Sequence, residues 1–400
     1  MRELLYLVSP AGNPNFGDEA IVAGWLRFLA RSRPDADVVL DCPNPVRAAA
    51  LLAGIHPNLS VTDALWRACF ERPRADAEGS WNHVRARVLL RDRARFEPEL
   101  AHLYRARSIH LLGGGYLNGL WAHQVGLVAG MTAARQVTGA TLFGTGLGLL
   151  PAFPDVSDAR RALASFDYLS CRDSSSALHF GLRLGVDDIF LGLRTGITPF
   201  NHSRDDAKDV MVSVQSDLVD PDWTDAVAAR LADRLRRYLD EGRSVGYVEA
   251  FPGSDREMFD RLGGLIAEED FVSFDMLWRK GLPMRAGQEW FTSRFHLHLA
   301  AAAAGAAGVA LGVRPGYYDI KHRSLQELGT GWQYVSDGLE ELPAPTVDRS
   351  FPERGESYAA MKLAEARSLY PIRTAERPSD RRRRSHERAW NDPGLVAASS

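Results

Sequence analysis

Cysteine is scarce in this 400-residue chain. There are three, Cys42, Cys69 and Cys171, and no CxxC pair. That excludes a disulfide framework and a cysteine-built zinc site. No other metal-ligand spacing stands out, so no metal is expected. Lysine is rare too: Lys208, Lys280, Lys321 and Lys362 are the only lysines among 48 basic residues. Each stands where arginine fills most basic positions. No run of about 18 apolar residues is present, so no membrane-spanning helix is expected. The opening MRELLYLVSPAG holds too short an apolar run for a secretory signal and reads as a first strand. The expected compartment is the cytoplasm. Charge excess is lacking as well. A net charge of −3 gives no global attraction to nucleic acid or to an acidic membrane.

What is present is a soluble globular composition, 45% hydrophobic and 25% charged, in a chain long enough for two or three domains. Strand-like runs at 4–10, 37–41, 108–114, 140–146 and 167–171 alternate with helical stretches at 18–32, 45–54, 81–105, 118–137 and 157–165. Several of the strands are apolar without alternation, the pattern of strands covered on both faces. A second series follows, with strands at 209–215, 244–250, 271–274, 290–293 and 308–313. Strand–helix alternation implies right-handed crossovers and parallel sheets. The expectation is an α/β protein of two Rossmann-like lobes, residues 1–200 and 201–345, with the polar stretch 201–209 as linker. A cleft between lobes would open at the carboxyl ends of the strands. Residues 346–371 read as a helix packing back on the body, and 372–400, with its RRRR run, as a disordered tail.

Five segments carry candidate chemistry. GNPNFGDEAIVAGWL (12–26) follows the first strand and opens the first helix. Asn15 and Gly17 shape its turn, and Asp18 and Glu19 occupy the first helical turn, where carboxylates suit the helix dipole. Asp18 reads either as a helix cap or as a base facing the cleft. LLGGGYLNG (111–119) places Gly113, Gly114 and Gly115 between strand and helix, as a tight turn or as backbone brought close to a ligand. It is neither GxGxxG nor a Walker loop. DYLSCRDSSS (167–176) delivers Arg172, whose guanidinium fork suits carboxylate and phosphate, with a surface pair to Asp173 as the other reading.

WFTSRFHLHLAAAAAG (290–305) prefaces an alanine helix with Ser293, Arg294, His296 and His298. A polar preface to a buried helix must be satisfied, and an anion at the helix N-terminus would do so. Only one of the two histidines can face a cleft, because residues two apart point away from each other. YYDIKHRSLQELG (317–329) offers Lys321 as a point charge for a phosphate, with His322 beside it as a second site group or equally as a surface residue.

In this order the five segments resemble the polysaccharide pyruvyl transferase family. The matching pieces are Asn15–Asp18, Gly113–Gly115, Ser170–Asp173, Ser293–His296 and Lys321, over about residues 1–340. The gap from His296 to Lys321 is longer than the family leads one to expect, and Arg314 could substitute. The resemblance implies a GT-B-like enzyme that transfers a pyruvyl group from phosphoenolpyruvate to a sugar as a cyclic ketal, releasing phosphate. No cofactor is implied. Arg172, Arg294, Lys321 and the glycine triplet would contact the donor, and Asn15, Gly17 and Glu19 the acceptor. Such a reaction protonates the methylene carbon and takes protons from two sugar hydroxyls. His296 is the expected acid, since histidine titrates near neutrality, and Asp18 the expected base. Acceptor contacts would come from the first lobe, with Trp66 and Trp81 as stacking faces or equally as core residues, and with peripheral contact to a lipid-linked acceptor. A nucleotide-sugar glycosyltransferase and a non-catalytic carbohydrate-binding relative remain as alternatives, and the oligomeric state is left open.

Overall fold

The computed structural model describes residues 2–91, 97–153, 158–195, 207–219, 221–313, 317–336 and 341–371. Arg314, most of the expected linker and the expected tail lie outside the described residues. The first parallel sheet contains β1 (Leu4–Val8), β2 (Asp37–Asp41), β3 (Leu59–Thr62), β4 (Ser108–Leu111), β5 (Thr141–Leu147), β6 (Tyr168–Cys171) and β7 (Arg183–Leu184). Its order is β3-β2-β1-β4-β5-β6-β7. The second contains β8 (Val210–Ser213), β9 (Val245–Val248), β10 (Phe271–Val272), β11 (Glu289–Thr292), β12 (Ala307–Leu311) and β13 (Gln333–Val335). It runs β10-β9-β8-β11-β12-β13, and the paired strands are parallel in both sheets. All five residues of β1 are buried, as helices on both faces of a sheet require.

The sequence pattern located the central strands and missed β3, β7 and β13. These are edge strands of two to four residues, too short for a pattern to register. The stretch 81–105 is not one helix: Ala77–Leu89 and Leu100–Arg105 are separate. The stretch 118–137 opens with a 3-10 turn at Gly119–Gln124 before the helix Val125–Thr138.

In each sheet the strand order reverses direction beside the first strand, between β1 and β4 and between β8 and β11. Loops leaving adjacent strands there diverge and leave a crevice at the strands' carboxyl ends. The two crevices face each other. The lobes meet through Phe16 N–H donating to the Ala250 carbonyl at 2.9 Å and the Tyr317 hydroxyl donating to the Gly115 carbonyl at 2.9 Å. One hydrophobic cluster runs through both lobes, joining Trp25 and Leu29 of the first helix (Phe16–Ser32) to Phe295 and Leu299 of the alanine-rich helix (Phe295–Ala303). The last helix, Phe351–Leu369, packs against both Ile189–Thr195 and the alanine-rich helix. Its buried Lys362 reaches Asp188 at 2.9 Å.

Candidate active site

Where the two crevices face each other lies a cavity of about 120 Å³. The N-terminal turns of the first helix and of the alanine-rich helix both reach it, through Gly17 and Asp18 and through Phe295 and His296. Two helix N-termini aimed at one space favour an anion there. Arg172, placed just after β6, and Lys321, in the first turn of the helix Tyr318–Leu328, supply full charges to the same wall.

The turn after β1 is built around Asn15. Its side chain accepts from Gly17 N–H at 3.2 Å and caps the first helix, so Asp18 is not the cap. The Asp18 carboxylate has no hydrogen-bond partner among the described residues and lines the cavity. Burial raises its pKa above 3.8, against the pull of the His296, Lys321 and Arg172 charges. The turn after β11 is pinned by hydroxyls. Ser293 Oγ accepts from Gln215 N–H at 2.9 Å, and Thr292 Oγ1 accepts from Arg294 N–H at 2.9 Å. Ser293 thus holds the ends of β8 and β11 together while the next residues enter the site.

His296 enters the cavity with Nε2 3.4 Å from Asp187 Oδ2 and Nδ1 against the backbone of Gly17. A Cβ on Gly17 would lie 1.6 Å from that nitrogen, so only glycine allows this approach across the lobes. His298 points the other way. It is buried between Thr330 Oγ1 at 2.9 Å and His322 Nδ1 at 3.2 Å and stacks on Trp332. His322 is therefore not a surface residue: burial pushes its pKa down to about 4.

The Arg172 guanidinium lies over the Phe295 ring, 4.1 Å from its centroid, and pairs with Asp187 at 2.8 Å rather than with Asp173. Asp173 instead caps the helix Ser174–Phe180. Lys321 Nζ donates to the Tyr317 hydroxyl and sits 3.8 Å from that ring's centroid. Burial holds its pKa well below 10.5, and the Arg172 charge lowers it further. Gly115 makes room for both cations: a Cβ there would lie 2.9 Å from Arg172 and 3.0 Å from Lys321.

Asp187 is the residue that sequence reasoning missed. It is almost fully buried, and its Oδ1 accepts from Ile189 N–H at 2.8 Å. Burial alone would raise its pKa; the His296 and Arg172 charges and the Ile189 N–H hold it well below the usual carboxylate range. Asp188 turns to the other side. It accepts from Gly113 N–H at 2.9 Å, Thr145 Oγ1 at 2.7 Å and Trp25 Nε1 at 2.8 Å. Two adjacent aspartates inside the apolar run VDDIF were the available signal, because unpaired buried carboxylates are expensive.

Four expectations need correcting. Gly113 gives its N–H to Asp188 and Gly114 gives its own to the Gly146 carbonyl, so of the triplet only Gly115 lines the cavity. Arg294 borders the cavity, but its guanidinium is held by Asp255 and, at 2.9 Å, by Asp217. Its charge is largely spoken for. Glu19 does not border the cavity. It is buried below the turn, where its Oε1 accepts from Gly12 N–H at 2.6 Å. Trp81 is core, packed within the first lobe.

Burial pushes the Glu19 pKa up from 4.5 to about 8. The folded protein then holds this proton more tightly than the unfolded chain. The associated stability is complete below pH 4.5 and is lost as pH rises to about 8. Glu19→Gln mimics the protonated side chain. Its melting temperature is expected to match the parent near pH 4.5 and to exceed it near pH 8. Parallel melting profiles would contradict the assignment.

Among the described residues, no group of three or more His, Cys, Asp or Glu is placed to hold a metal ion. Among them, too, no helix is long and apolar enough to cross a membrane.

Two parallel α/β lobes meeting over a shared cavity at their strands' carboxyl ends define a GT-B-type fold. UDP-GlcNAc 2-epimerase from Neisseria meningitidis, solved bound to UDP-GlcNAc, is similar in fold: TM-score 0.50 at 9% identity, covering 92% of this chain and 98% of that one. A Listeria monocytogenes chain assigned as a UDP-N-acetylglucosamine 2-epimerase gives TM-score 0.50 at 12% identity over 92% of each chain. MurG from Acinetobacter baumannii gives 0.47 at 10% identity, over 92% and 99%. No curated protein sequence matches the chain. Residues 15–219, about half of its length, match the polysaccharide pyruvyl transferase family, and the chain belongs to that family.

Proposed function

We propose that this transferase moves the pyruvyl group of phosphoenolpyruvate onto two hydroxyls of a sugar, forming a cyclic ketal and releasing phosphate. The observation that carries this reading is the convergence of Asp18, Arg172, His296 and Lys321 on one cavity from both lobes. Phosphoenolpyruvate carries a carboxylate and a phosphate. Arg172 offers a planar fork and Lys321 a point charge, with two helix N-termini beside them.

In this reaction His296 gives a proton to the methylene carbon, which leaves the adjacent carbon electron-poor. One sugar hydroxyl attacks that carbon and Asp18 takes its proton. The carbon–oxygen bond to phosphate breaks, phosphate leaves, and the second hydroxyl closes the ketal as its proton passes to the departing phosphate. Arg172 and Lys321 neutralise the departing phosphate. Burial and the Arg172 charge lower the Lys321 pKa, and a bound anion beside it opposes both. Asp187 holds Arg172 and His296 in register from behind. Because burial raises the Asp18 pKa above 3.8, the base stays protonated over a wider acidic range than a free carboxylate, and activity falls on that side.

The test is phosphate release from phosphoenolpyruvate in the presence of candidate sugars. Release that depends on both substrates is expected. Sugar transfer from a nucleotide donor without any phosphoenolpyruvate turnover would favour nucleotide-sugar glycosyl transfer, the chemistry in which a fold of this kind is also found.

A further inference from the structure

The last helix, Phe351–Leu369, follows the second lobe in the chain yet sends two charged side chains into the first. It lies beyond residues 15–219 and beyond the segments that carry the family resemblance. Lys362 and Glu365 stand one turn apart on it. Lys362 is fully buried; its Nζ donates to Asp188 Oδ1 at 2.9 Å and pairs with Glu365 as well. Glu365 Oε1 accepts from the hydroxyls of Ser170 at 2.8 Å and Tyr168 at 2.7 Å. Burial alone would lower the Lys362 pKa; the Asp188 and Glu365 charges raise it above 10.5 instead, so the ammonium stays charged.

Both anchors lie beside the site. Ser170, in β6, stands two residues before Arg172, and Asp188 stands one after Asp187. Arg172 and Asp187 are the pair that meets at 2.8 Å behind the cavity, and Asp187 also faces His296. One helical turn therefore grips both segments that carry the pair. Asp188 is fixed at its two oxygens: Lys362 holds Oδ1, while Oδ2 accepts from Trp25, Gly113 and Thr145. A second tie runs from the end of the same helix to the same carboxylate. Tyr370 gives its hydroxyl hydrogen to His110 Nδ1 at 3.1 Å, His110 Nε2 donates to Thr145 Oγ1 at 2.9 Å, and Thr145 donates to Asp188. Burial pushes the His110 pKa down to about 3, which leaves a neutral ring with one donor and one acceptor, as this chain of bonds requires.

Stability alone does not account for the arrangement. An ammonium buried between carboxylates is weak evidence for stability, since apolar side chains of similar volume would hold the helix as well. What the charges add is a fixed distance and direction. We infer that Lys362 and Glu365 are positioning residues for the anion socket: anchored to Asp188 and Ser170, their helical turn sets the approach of Arg172 to Asp187 and, through Asp187, the place of His296. The inference deepens the pyruvyl-transfer reading and rests on it only for the identity of the anion that Arg172 grips.

Lys362→Met alone would leave the Asp188 and Glu365 carboxylates buried without their cation and is expected to unfold the chain. The test therefore uses Lys362→Met/Glu365→Gln in the full chain, which removes one charge of each sign. Ser170→Ala cuts the other anchor by a single hydroxyl. Tyr358→Ala is the control, because it loosens the same helix elsewhere: the Tyr358 ring packs 5.5 Å from Phe190 between centroids, and its hydroxyl donates to the Leu328 carbonyl at 3.2 Å. All three are expected to lower the melting temperature. In the double variant, kcat for phosphate release is expected to fall about tenfold or more, the scale of a displaced reacting group, and phosphoenolpyruvate to bind about tenfold more weakly by calorimetry. Ser170→Ala is expected to shift both in the same direction, and Tyr358→Ala to leave both near the parent's. Parent values in the double variant and in Ser170→Ala, or an equal loss in Tyr358→Ala, would overturn the inference. A crystal structure of the double variant separates this inference from the reaction. Arg172 and Asp187 are expected to have moved apart from 2.8 Å. An unchanged arrangement of Arg172, Asp187 and His296 would overturn the inference whatever the chain catalyses. A displaced arrangement, in a protein whose parent never turns over phosphoenolpyruvate, would keep it and remove the pyruvyl transfer.

Discussion

His296→Ala is expected to lower kcat by about 100-fold or more, the usual scale for a general acid, with the fold intact. The imidazole sits in the cavity wall and makes no hydrogen bond that holds the core together. Its ionic contact with Asp187 is long, at 3.4 Å. Removing it leaves Asp187 paired with Arg172 and leaves the strand turn pinned by Ser293. The loss should therefore fall on turnover more than on binding. Asp187→Asn is the companion. It keeps the shape but withdraws the charge that faces both Arg172 and His296, so it should change the pH profile of kcat as well as its height. Stopped-time phosphate assays across pH read both. Near-normal turnover by folded His296→Ala would remove the histidine from the chemistry.

Gly17→Ala should be nearly as damaging, for a reason that lies in the other lobe. The new methyl would lie 1.6 Å from His296 Nδ1, a distance no packing tolerates. Gly17 sits in the first turn of a helix, where alanine is otherwise favoured, so the backbone has no objection. The imidazole must move, or the lobes must part. Either shift displaces the proton donor by about an ångström, a misplacement that can lower a rate about 100-fold. Circular dichroism should show an unchanged fold while phosphate release collapses. A fully active Gly17→Ala protein would mean that the His296 position across the lobe boundary is not the working one.

The order of the fold was legible because parallel strands covered on both faces read as unbroken apolar runs, β1 and β4 being clear cases. What escaped was short or edge-bound: β7 has two exposed residues and no pattern to show. In the site, residues that follow strand ends were easy to pick out. A strand, a turn with small residues and a helix make a signature, and Asp18, Arg172 and His296 each stand at one. Lys321 was visible through the rarity of lysine. The partners of these residues were not visible. Nothing in the string SRFH says that Arg294 is held by Asp255 and Asp217, or that His298 pairs with His322. Asp187 belongs to the same class. It approaches Arg172 and His296 only because the segments that follow β6, β7 and β11 meet across the lobe boundary, a relation that local sequence does not encode.

The central claim is that a cationic socket built from both lobes grips phosphoenolpyruvate. Calorimetric titration of phosphoenolpyruvate into the parent chain and into Arg172→Lys tests it most directly. One molecule bound per chain is predicted, with affinity weakened about tenfold or more in the variant, whose single ammonium cannot reproduce the guanidinium fork. An absence of binding, or equal affinity in the two proteins, would contradict the account.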